Sequence, residues 1–214
     1  DTTIANVDCG DFTLRLNAQG GYKRLGKSAG KLPDIMKQQF ENRTIDQTEL
    51  RRALPNMSLT LHSSKENPIY RFIKYYDVDY DEVDAMVKTS FEEGVTADIL
   101  MKGLSTQGYQ LDTISLKVNS SNDPYKIAYK GYVRNVKPND YVFTVEYDGE
   151  VMEHGISLNT IFRDANDETG LRFGVEATMV EEGLNLHFLR NQPIIAYEKF
   201  RFKKDNYILL DRRN

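Results

Sequence analysis

Four residues near the start of the chain have the types and spacing of a phosphate-binding loop. Two glycines precede a lysine and a serine: Gly21, Gly26, Lys27 and Ser28. In such a loop, backbone N–H groups surround the phosphates, the lysine neutralises their charge and the serine hydroxyl reaches magnesium. The pattern predicts, as one alternative for the whole chain, an enzyme or sensor that binds a phosphate-bearing ligand there.

The neighbouring sequence argues against that alternative. A phosphate loop leads directly into a long helix of a parallel sheet, whereas Gly30 and Pro33 follow Ser28 within five residues and disfavour a continuous helix. The rest of the chain has no regular alternation of strands and helices. We therefore expect a flexible basic surface loop over residues 19–31 and a helix that begins at Pro33.

Three acidic residues at alternate positions could begin a calcium-binding loop. Asp77, Asp79 and Asp81 have the initial spacing, but the sixth position holds Glu82 instead of glycine and the twelfth holds Lys88 instead of glutamate. Acids in the first turn of a helix have a simpler role, because they accept hydrogen bonds from free N–H groups. We expect these acids to start a helix, and we expect no metal or other cofactor.

Tyrosine is the main aromatic residue with a polar end, because the chain has 13 Tyr and no Trp. Five tyrosines fall on two successive predicted strands: Tyr125, Tyr129, Tyr132, Tyr141 and Tyr147. Tyrosine rings pack against a sheet while their hydroxyls meet water, and tyrosine is frequent at contact hot spots. These five residues predict a partner-binding sheet face. The alternative is that they are ordinary tyrosines packed on a sheet surface.

The elements that would position these side chains divide the chain in two. From Leu111 onward apolar and polar residues alternate, and short turns such as Asp148-Gly149 separate the runs. Turns this short predict antiparallel neighbours, since parallel strands need a long crossover. Residues with odd numbers from Leu171 to Met179 should lie on one face, opposite Arg172 and Glu176.

The N-terminal half predicts mixed strands and helices packed on this sheet. The expected fold class is therefore α+β, with a C-terminal antiparallel meander of six to eight strands. We expect one domain over residues 1–214, with a possible junction near residues 107–110. The expected N-terminal elements are strands at 11–17, 57–62 and 69–75 and helices at 33–40, 44–54, 79–94 and 96–108.

Composition narrows the class of partner. The 28 basic and 32 acidic residues give a formal net charge of −4, which disfavours nucleic acid. The sequence has no apolar run long enough to span a membrane. Cys9 is the only cysteine, so neither an intramolecular disulfide nor a thiolate zinc site is expected.

These observations favour a binding role over catalysis. We find no convergent catalytic motif, and the chain begins at Asp1 without methionine, which is consistent with export to the periplasm or the extracellular space. We therefore expect a non-catalytic domain that recognises a protein partner, as an inhibitor, immunity-type or accessory protein of the cell envelope. A structural subunit of a larger assembly is the remaining alternative.

Overall fold

The structure is a computed structural model that describes residues 1–120, 126–135 and 141–211. The N-terminal half contains two strands, two helices and a third strand: β1 Thr2–Cys9, β2 Phe12–Gln19, α1 Tyr22–Glu41, α2 Gln47–Ala53 and β3 Met57–Ser63. A short helix and four strands follow: α3 Pro68–Lys74, β4 Val78–Asp79, β5 Glu82–Ser90, β6 Gly94–Thr106 and β7 Tyr109–Asn119. The C-terminal part consists of strands: β8 Ile127–Arg134, β9 Phe143–Met152, β10 Gly155–Asp164, β11 Thr169–Val180, β12 Gly183–Phe188, β13 Ile194–Ile195, β14 Glu198–Lys199 and β15 Ile208–Asp211.

One antiparallel sheet contains all the described strands. Its main path runs β1-β2-β3-β5-β6-β7-β8-β9-β10-β11-β12-β15, while β4 pairs with β6, and β13 pairs with β11 and β14. Neighbours on this path are mostly neighbours in sequence, as expected for hairpins with short turns. The exceptions among the described strands are β4, which lies between β3 and β5 in sequence, and β13 and β14, which lie between β12 and β15.

The register of the strands gives the sheet one apolar and one polar face. Directly paired residues share a face, so a transverse row can be followed from strand to strand. One such row is apolar from β1 to β12: Ala5, Leu16, Leu59, Val87, Ala97, Val118, Tyr129, Gly149, Leu158, Val175 and Phe188. The row on the opposite face is mainly polar: Asn6, Arg15, Thr60, Met86, Asp98, Lys117, Lys130, Asp148, Asn159 and Gly174. We call these surfaces the apolar face and the polar face.

The α1–α2 segment lies across one end of the strands. The backbone N–H of Ile45 donates to the carbonyl of Glu153 at 2.6 Å, and Arg43 Nη1 donates to the carbonyl of Val180 at 2.9 Å. These contacts tie the segment to the β9–β10 turn and to the end of β11. The helices therefore cover a limited part of the apolar face.

Most of the apolar face is half-buried rather than buried. Only six hydrophobic residues among those described are buried: Phe12, Ala18, Tyr70, Tyr80, Ala97 and Ile194. The chain exposes 14181 Å², whereas a compact monomer of this size exposes about 10000 Å². The sheet is thus a broad layer without a second layer over most of its extent.

The expected antiparallel C-terminal sheet is confirmed, but its expected size of six to eight strands is wrong. The sheet has 15 strands, since β1 to β6 join it and β7 to β15 alone number nine. The segments predicted as helices at 79–94 and 96–108 are the paired strands β5 and β6. Val83 and Val87 are four residues apart, a spacing that suits one face of a helix and one face of a strand equally. Pairing of Val87 with Leu59 of β3 and Ala97 of β6 selects the strand.

Two further elements differ from the sequence expectation. The strand expected at 69–75 is the helix α3, whose start is fixed by Asn67 accepting the Tyr70 N–H at 2.7 Å and by Pro68 in the first turn. The helix expected from Pro33 begins at Tyr22 and passes through Pro33.

The turn expected at Asp148-Gly149 lies inside β9, and the chain instead turns after Met152. The expected facing of β11 is confirmed, since Phe173 and Val175 share the apolar face. In the described residues no helix is long and apolar enough to cross a membrane.

Candidate binding surface

Two tyrosines cross the middle of the apolar face in opposite directions. Tyr129 on β8 lies over Gly149 on β9 and donates to the Ser157 carbonyl on β10 at 2.8 Å. Tyr147 on β9 lies over Gly131 on β8 and donates to the Ser115 carbonyl on β7 at 2.9 Å. Burial raises the pKa of both phenols. Each ring therefore fills the space that its paired glycine leaves, a packing arrangement known from other sheets.

The structure does not bring the predicted tyrosines together on one surface. Tyr132 lies on the polar face, paired with Ser115 and Glu146. Tyr141 precedes β9 and is 83% exposed. Tyr125 lies outside the described residues. A partner-binding role for these five residues stays a prediction, and of the four that the structure describes, Tyr129 and Tyr147 belong to the apolar face.

A cavity of about 370 Å³ lies between the helices and the apolar face near the strand ends. Its wall is almost entirely apolar and includes Leu32 and Met36 of α1, Leu50 of α2, and Ile127 and Val151 of the sheet. Ile127 and Val151 directly pair with one another and lie two residues from Tyr129 and Gly149. The cavity is thus the covered end of the apolar face.

A buried arginine fixes α2 beside this cavity. Arg51 is 7% exposed, donates from Nη1 to the Glu92 carbonyl at 2.9 Å, and donates from Nη2 to the Ser120 carbonyl. The two carbonyls belong to the β5–β6 turn and to the residue after β7. One side chain therefore holds the helix against two separate strand ends.

Two glutamines of the cavity wall carry polar atoms without a hydrogen-bond partner. Gln39 and Gln47 are each 4% exposed, and both line the cavity. Gln39 Oε1 and Gln47 Nε2 are buried and unpartnered. Gln39 Nε2, in contrast, donates to Glu49 Oε2 at 2.8 Å and to the Asp46 carbonyl at 3.2 Å. Two amide atoms beside the cavity are thus enclosed without a hydrogen-bond partner among the described residues.

The residues of the proposed phosphate loop are helical. Gly21 is the N-cap of α1, and Gly26, Lys27 and Ser28 lie within its first two turns. The expected flexible loop at 19–31 is therefore wrong, and the backbone does not wrap around a phosphate-sized space there. Phosphate binding by these residues stays a prediction without a supporting contact.

The three acids of the calcium pattern do not converge. Asp77 has a positive φ of 59° before β4. Asp79 accepts from the Tyr70 hydroxyl at 2.6 Å and pairs with Lys74 at 3.1 Å. Tyr70 and Lys74 lower the pKa of Asp79. Asp81 pairs with Lys65 at 2.6 Å. Lys74 and Lys65 thus balance the carboxylates of Asp79 and Asp81, and the helix expected to follow the three acids is absent.

A different group of possible metal ligands lies on the polar face. Within the described residues His62, Glu82 and Asp84 place ligand atoms within 4.8 Å of one another. His62 Nδ1 already bonds Asp84 at 2.7 Å, which raises the pKa of His62, and Glu82 pairs with Lys102 at 2.6 Å. Paired side chains of this kind are typical of a solvated sheet surface.

Comparison with other proteins adds no function. No protein-family model, curated protein or solved structure matches this chain. Its function has to be inferred from its own geometry, in which the apolar face and the cavity are the two features without a purely structural explanation.

Sequence reasoning predicts the apolar face on β11 but misses its extent across the N-terminal strands, and it misses the cavity. Leu25, Leu32, Ile35 and Gln39 recur at helical spacing, a stripe that runs through Pro33 and predicts α1 in full. The strands β1 to β3, β5 and β6 have the same alternation of apolar and polar residues as the segments after Leu111. The cavity itself depends on the position of α1–α2 across strand ends, which no local pattern encodes.

Proposed function

We propose that this chain is a non-catalytic binding domain that recognises a protein partner through the apolar face of its sheet. The observation that supports the proposal is the apolar row that crosses eleven strands, from Ala5 to Phe188, while the helices cover only one end. Exposed apolar patches larger than a few hundred Å² mark interaction sites in soluble proteins. A half-buried face of this breadth is more than folding requires.

The size of the face favours a protein over a small molecule. Neighbouring strands lie about 4.8 Å apart, so eleven strands extend over roughly 50 Å. A small ligand occupies a pocket of about 300–1000 Å³ and would leave most of the face in water. A protein interface buries about 800 Å² on each partner and matches the scale of the face.

The charge of the chain favours a protein over a lipid surface. The formal net charge is −4, and anionic membranes attract proteins with basic segments. The polar face carries opposite charges in pairs, such as Lys117 with Asp98 at 2.8 Å and Lys126 with Glu150 at 3.1 Å. A face with such paired charges is suited to contact with water. The apolar face is therefore the surface that we expect to contact the partner. Inhibitor, immunity-type and accessory proteins, with a location in the cell envelope, remain the expected class.

A matched pair of variants on β1 tests the proposal. Val7 is 42% exposed and lies on the apolar face, whereas Ile4 is 65% exposed and lies on the polar face. The immobilised wild-type chain and the Ile4→Glu variant should retain the same partner from a lysate of the source cells. The Val7→Glu variant should retain at most a tenth as much, because burying an unpaired carboxylate opposes association.

Two results would contradict the proposal. Equal retention by Val7→Glu and wild type would remove the apolar face from the interface. Retention of only the chain itself would favour the alternative of a structural subunit, in which the free edge of β1 pairs with another copy. Circular dichroism and a thermal unfolding scan of each variant confirm that the bait is folded.

A further inference from the structure

We propose that the free edge of β1 binds an extended segment of another protein, which adds one more antiparallel strand to the sheet. The inference goes beyond the proposed function, because it concerns backbone groups at the edge of the sheet and not side chains on its apolar face. Either surface can bind without the other.

The backbone of β1 alternates between groups that bond β2 and groups that face outward. The Gly20 N–H donates to the Asp1 carbonyl at 2.8 Å. This pair lies one step beyond the first directly paired residues of the two strands. Hydrogen-bonded and non-bonded positions alternate in an antiparallel pair, so the odd-numbered residues of β1 bond β2. The even-numbered residues direct both N–H and C=O to the free edge: Thr2, Ile4, Asn6 and Asp8.

These edge groups have no strand beside them among residues 1–120, 126–135 and 141–211. β1 ends the path of the sheet and pairs there with β2. The four even-numbered residues are all exposed, and Ile4 is 65% exposed. The edge therefore offers a row of backbone donors and acceptors, and an extended peptide backbone is the ligand that matches such a row.

β1 lacks the features that keep a solvated edge from pairing. Natural sheets protect their edges with very short strands, lysine, proline or bulges. β1 has eight residues, contains neither lysine nor proline, and pairs with β2 without a register shift. Its one charged side chain, Asp8, is held on β2 by Arg15 at 2.5 Å. The edge is therefore open to a further strand along its whole length.

The side chains of β1 specify the sequence pattern of the bound segment. Residues directly opposite one another in an antiparallel pair share a face. The odd-numbered residues lie on the apolar face and are small: Thr3, Ala5, Val7 and Cys9. Apolar side chains at alternate positions of the segment would pack against them and extend the apolar row by one strand. On the polar face, the carboxylate of Asp8 favours a basic residue opposite.

A foreign segment fits this edge better than a second copy of β1 does. A second β1 would bring another Asp8 and no basic residue to the new pair. Thr3 and Ala5 of one copy would also meet only small side chains of the other, which leaves the apolar row unfilled. Charge and side-chain volume therefore both favour a different sequence.

Two isomeric peptides test the backbone ladder on the wild-type chain. The probe is a fluorescein-labelled heptapeptide, Lys-Val-Thr-Val-Thr-Val-Lys, whose binding is followed by fluorescence polarisation. With its valines on the apolar face, its threonines lie opposite even-numbered residues of β1 and donate to them. N-methylation of both threonines should weaken binding about tenfold, whereas N-methylation of two valines should leave the affinity unchanged. No binding of the unmethylated probe, equal weakening in the two isomers, or a loss limited to the valine isomer would overturn the proposal.

A matched pair of variants at Asn6 tests the edge on the protein side. Proline is tolerated in edge strands where its missing N–H would face solvent. Asn6→Pro therefore removes one outward donor and keeps the ladder between β1 and β2. It should weaken binding of the probe about tenfold, while Asn6→Ala should bind like wild type. Equal binding by the two variants, both with the circular dichroism of wild type, would contradict the proposal; if Asn6→Pro unfolds, the peptide isomers decide the question.

Sedimentation velocity separates the proposed ligand from a second copy of the chain. A monomer that binds the probe agrees with the proposal. A dimer that Asn6→Pro dissociates, and that fails to bind the probe, would show that the edge is occupied by the chain itself and would contradict it.

Discussion

The ring of Tyr129 lies over Gly149 on the neighbouring strand, and its hydroxyl donates to the Ser157 carbonyl one strand further at 2.8 Å. A Cβ built on Gly149 would come closest to the Ser157 carbonyl oxygen, and it would be 2.6 Å from the Tyr129 hydroxyl oxygen and 2.8 Å from Cζ. The glycine is thus required both by the carbonyl of the neighbouring strand and by a tyrosine that the sequence predicts to bind a partner. This relationship, and its counterpart between Tyr147 and Gly131, orders the middle of the apolar face.

Replacing Gly149 with alanine should lower the free energy of unfolding by about 2 kcal/mol, because overpacking of a fitted contact costs about 1–3 kcal/mol. Chemical denaturation monitored by circular dichroism measures the change. Gly26→Ala is the control, since a Cβ there meets nothing within 4 Å, and it should raise stability by up to about 1 kcal/mol in the helix. A neutral Gly149→Ala would mean that neither the Ser157 carbonyl nor the ring of Tyr129 lies against Gly149.

Removing the hydroxyl of Tyr147 should lower the free energy of unfolding by about 1 kcal/mol, because Tyr147→Phe removes the hydrogen bond from this hydroxyl to the Ser115 carbonyl. Tyr141→Phe should have no measurable effect, since Tyr141 is 83% exposed. Equilibrium denaturation of the two variants side by side gives the difference. Equal midpoints would show that the hydrogen bond contributes nothing.

Removing the buried guanidinium of Arg51 should destabilise the chain by about 3 kcal/mol. Arg51→Met retains much of the apolar stem but leaves the carbonyls of Glu92 and Ser120 without a charged donor. Arg52→Met changes the exposed neighbour on the same helix and should change stability by less than about 0.5 kcal/mol. Comparable losses in the two variants would argue against the anchoring role.

The contact between Asp11 in the β1–β2 turn and the segment between β3 and α3 should lose stability in acid. The hydroxyl of Ser64, followed by the amide of Asn67 and the N–H of Glu66, lowers the pKa of Asp11 from the ordinary value of 3.8 to about 2. A carboxyl group with a lowered pKa stabilises the fold above its unfolded pKa, and that contribution is lost as pH falls through its folded pKa. The loss therefore takes place between about pH 4 and pH 2.

Denaturation at several pH values tests this prediction. The stability difference between wild type and Asp11→Asn should be largest above pH 4 and should shrink towards pH 2. Asp205→Asn is the control, because Asp205 is exposed in the turn before β15. A difference for Asp11→Asn that is constant with pH would contradict the assignment.

The sequence predicts local alternation better than it predicts the extent of the sheet. The hairpins after Leu111 could be predicted because alternation and short turns agree there. Gly149 shows the limit, since Asp-Gly is a strong turn signal and its role under Tyr129 depends on the neighbouring strand. Val83 and Val87 show a second limit, because their spacing fits two periodicities and only pairing with β3 and β6 decides between them.

The candidate sites depend on contacts that are distant in sequence. Gln39 and Gln47 are ordinary helix residues in sequence, and their burial depends on the place where α1–α2 meets Ile127 and Val151 of the sheet. The pattern from Gly21 to Ser28 is a sharp signal in sequence, but its residues form the N-cap and the first two turns of α1.

Site-specific photo-crosslinking in the source cells tests the central claim most directly. Phe173 is half-buried on the apolar face, and Tyr132 is half-buried on the polar face, so p-benzoylphenylalanine replaces an aromatic ring at either position. If the apolar face binds the partner, we expect a protein partner to be cross-linked from position 173 and none from position 132. Cross-linking from position 132 alone, or a product from position 173 with twice the mass of the chain, would contradict it.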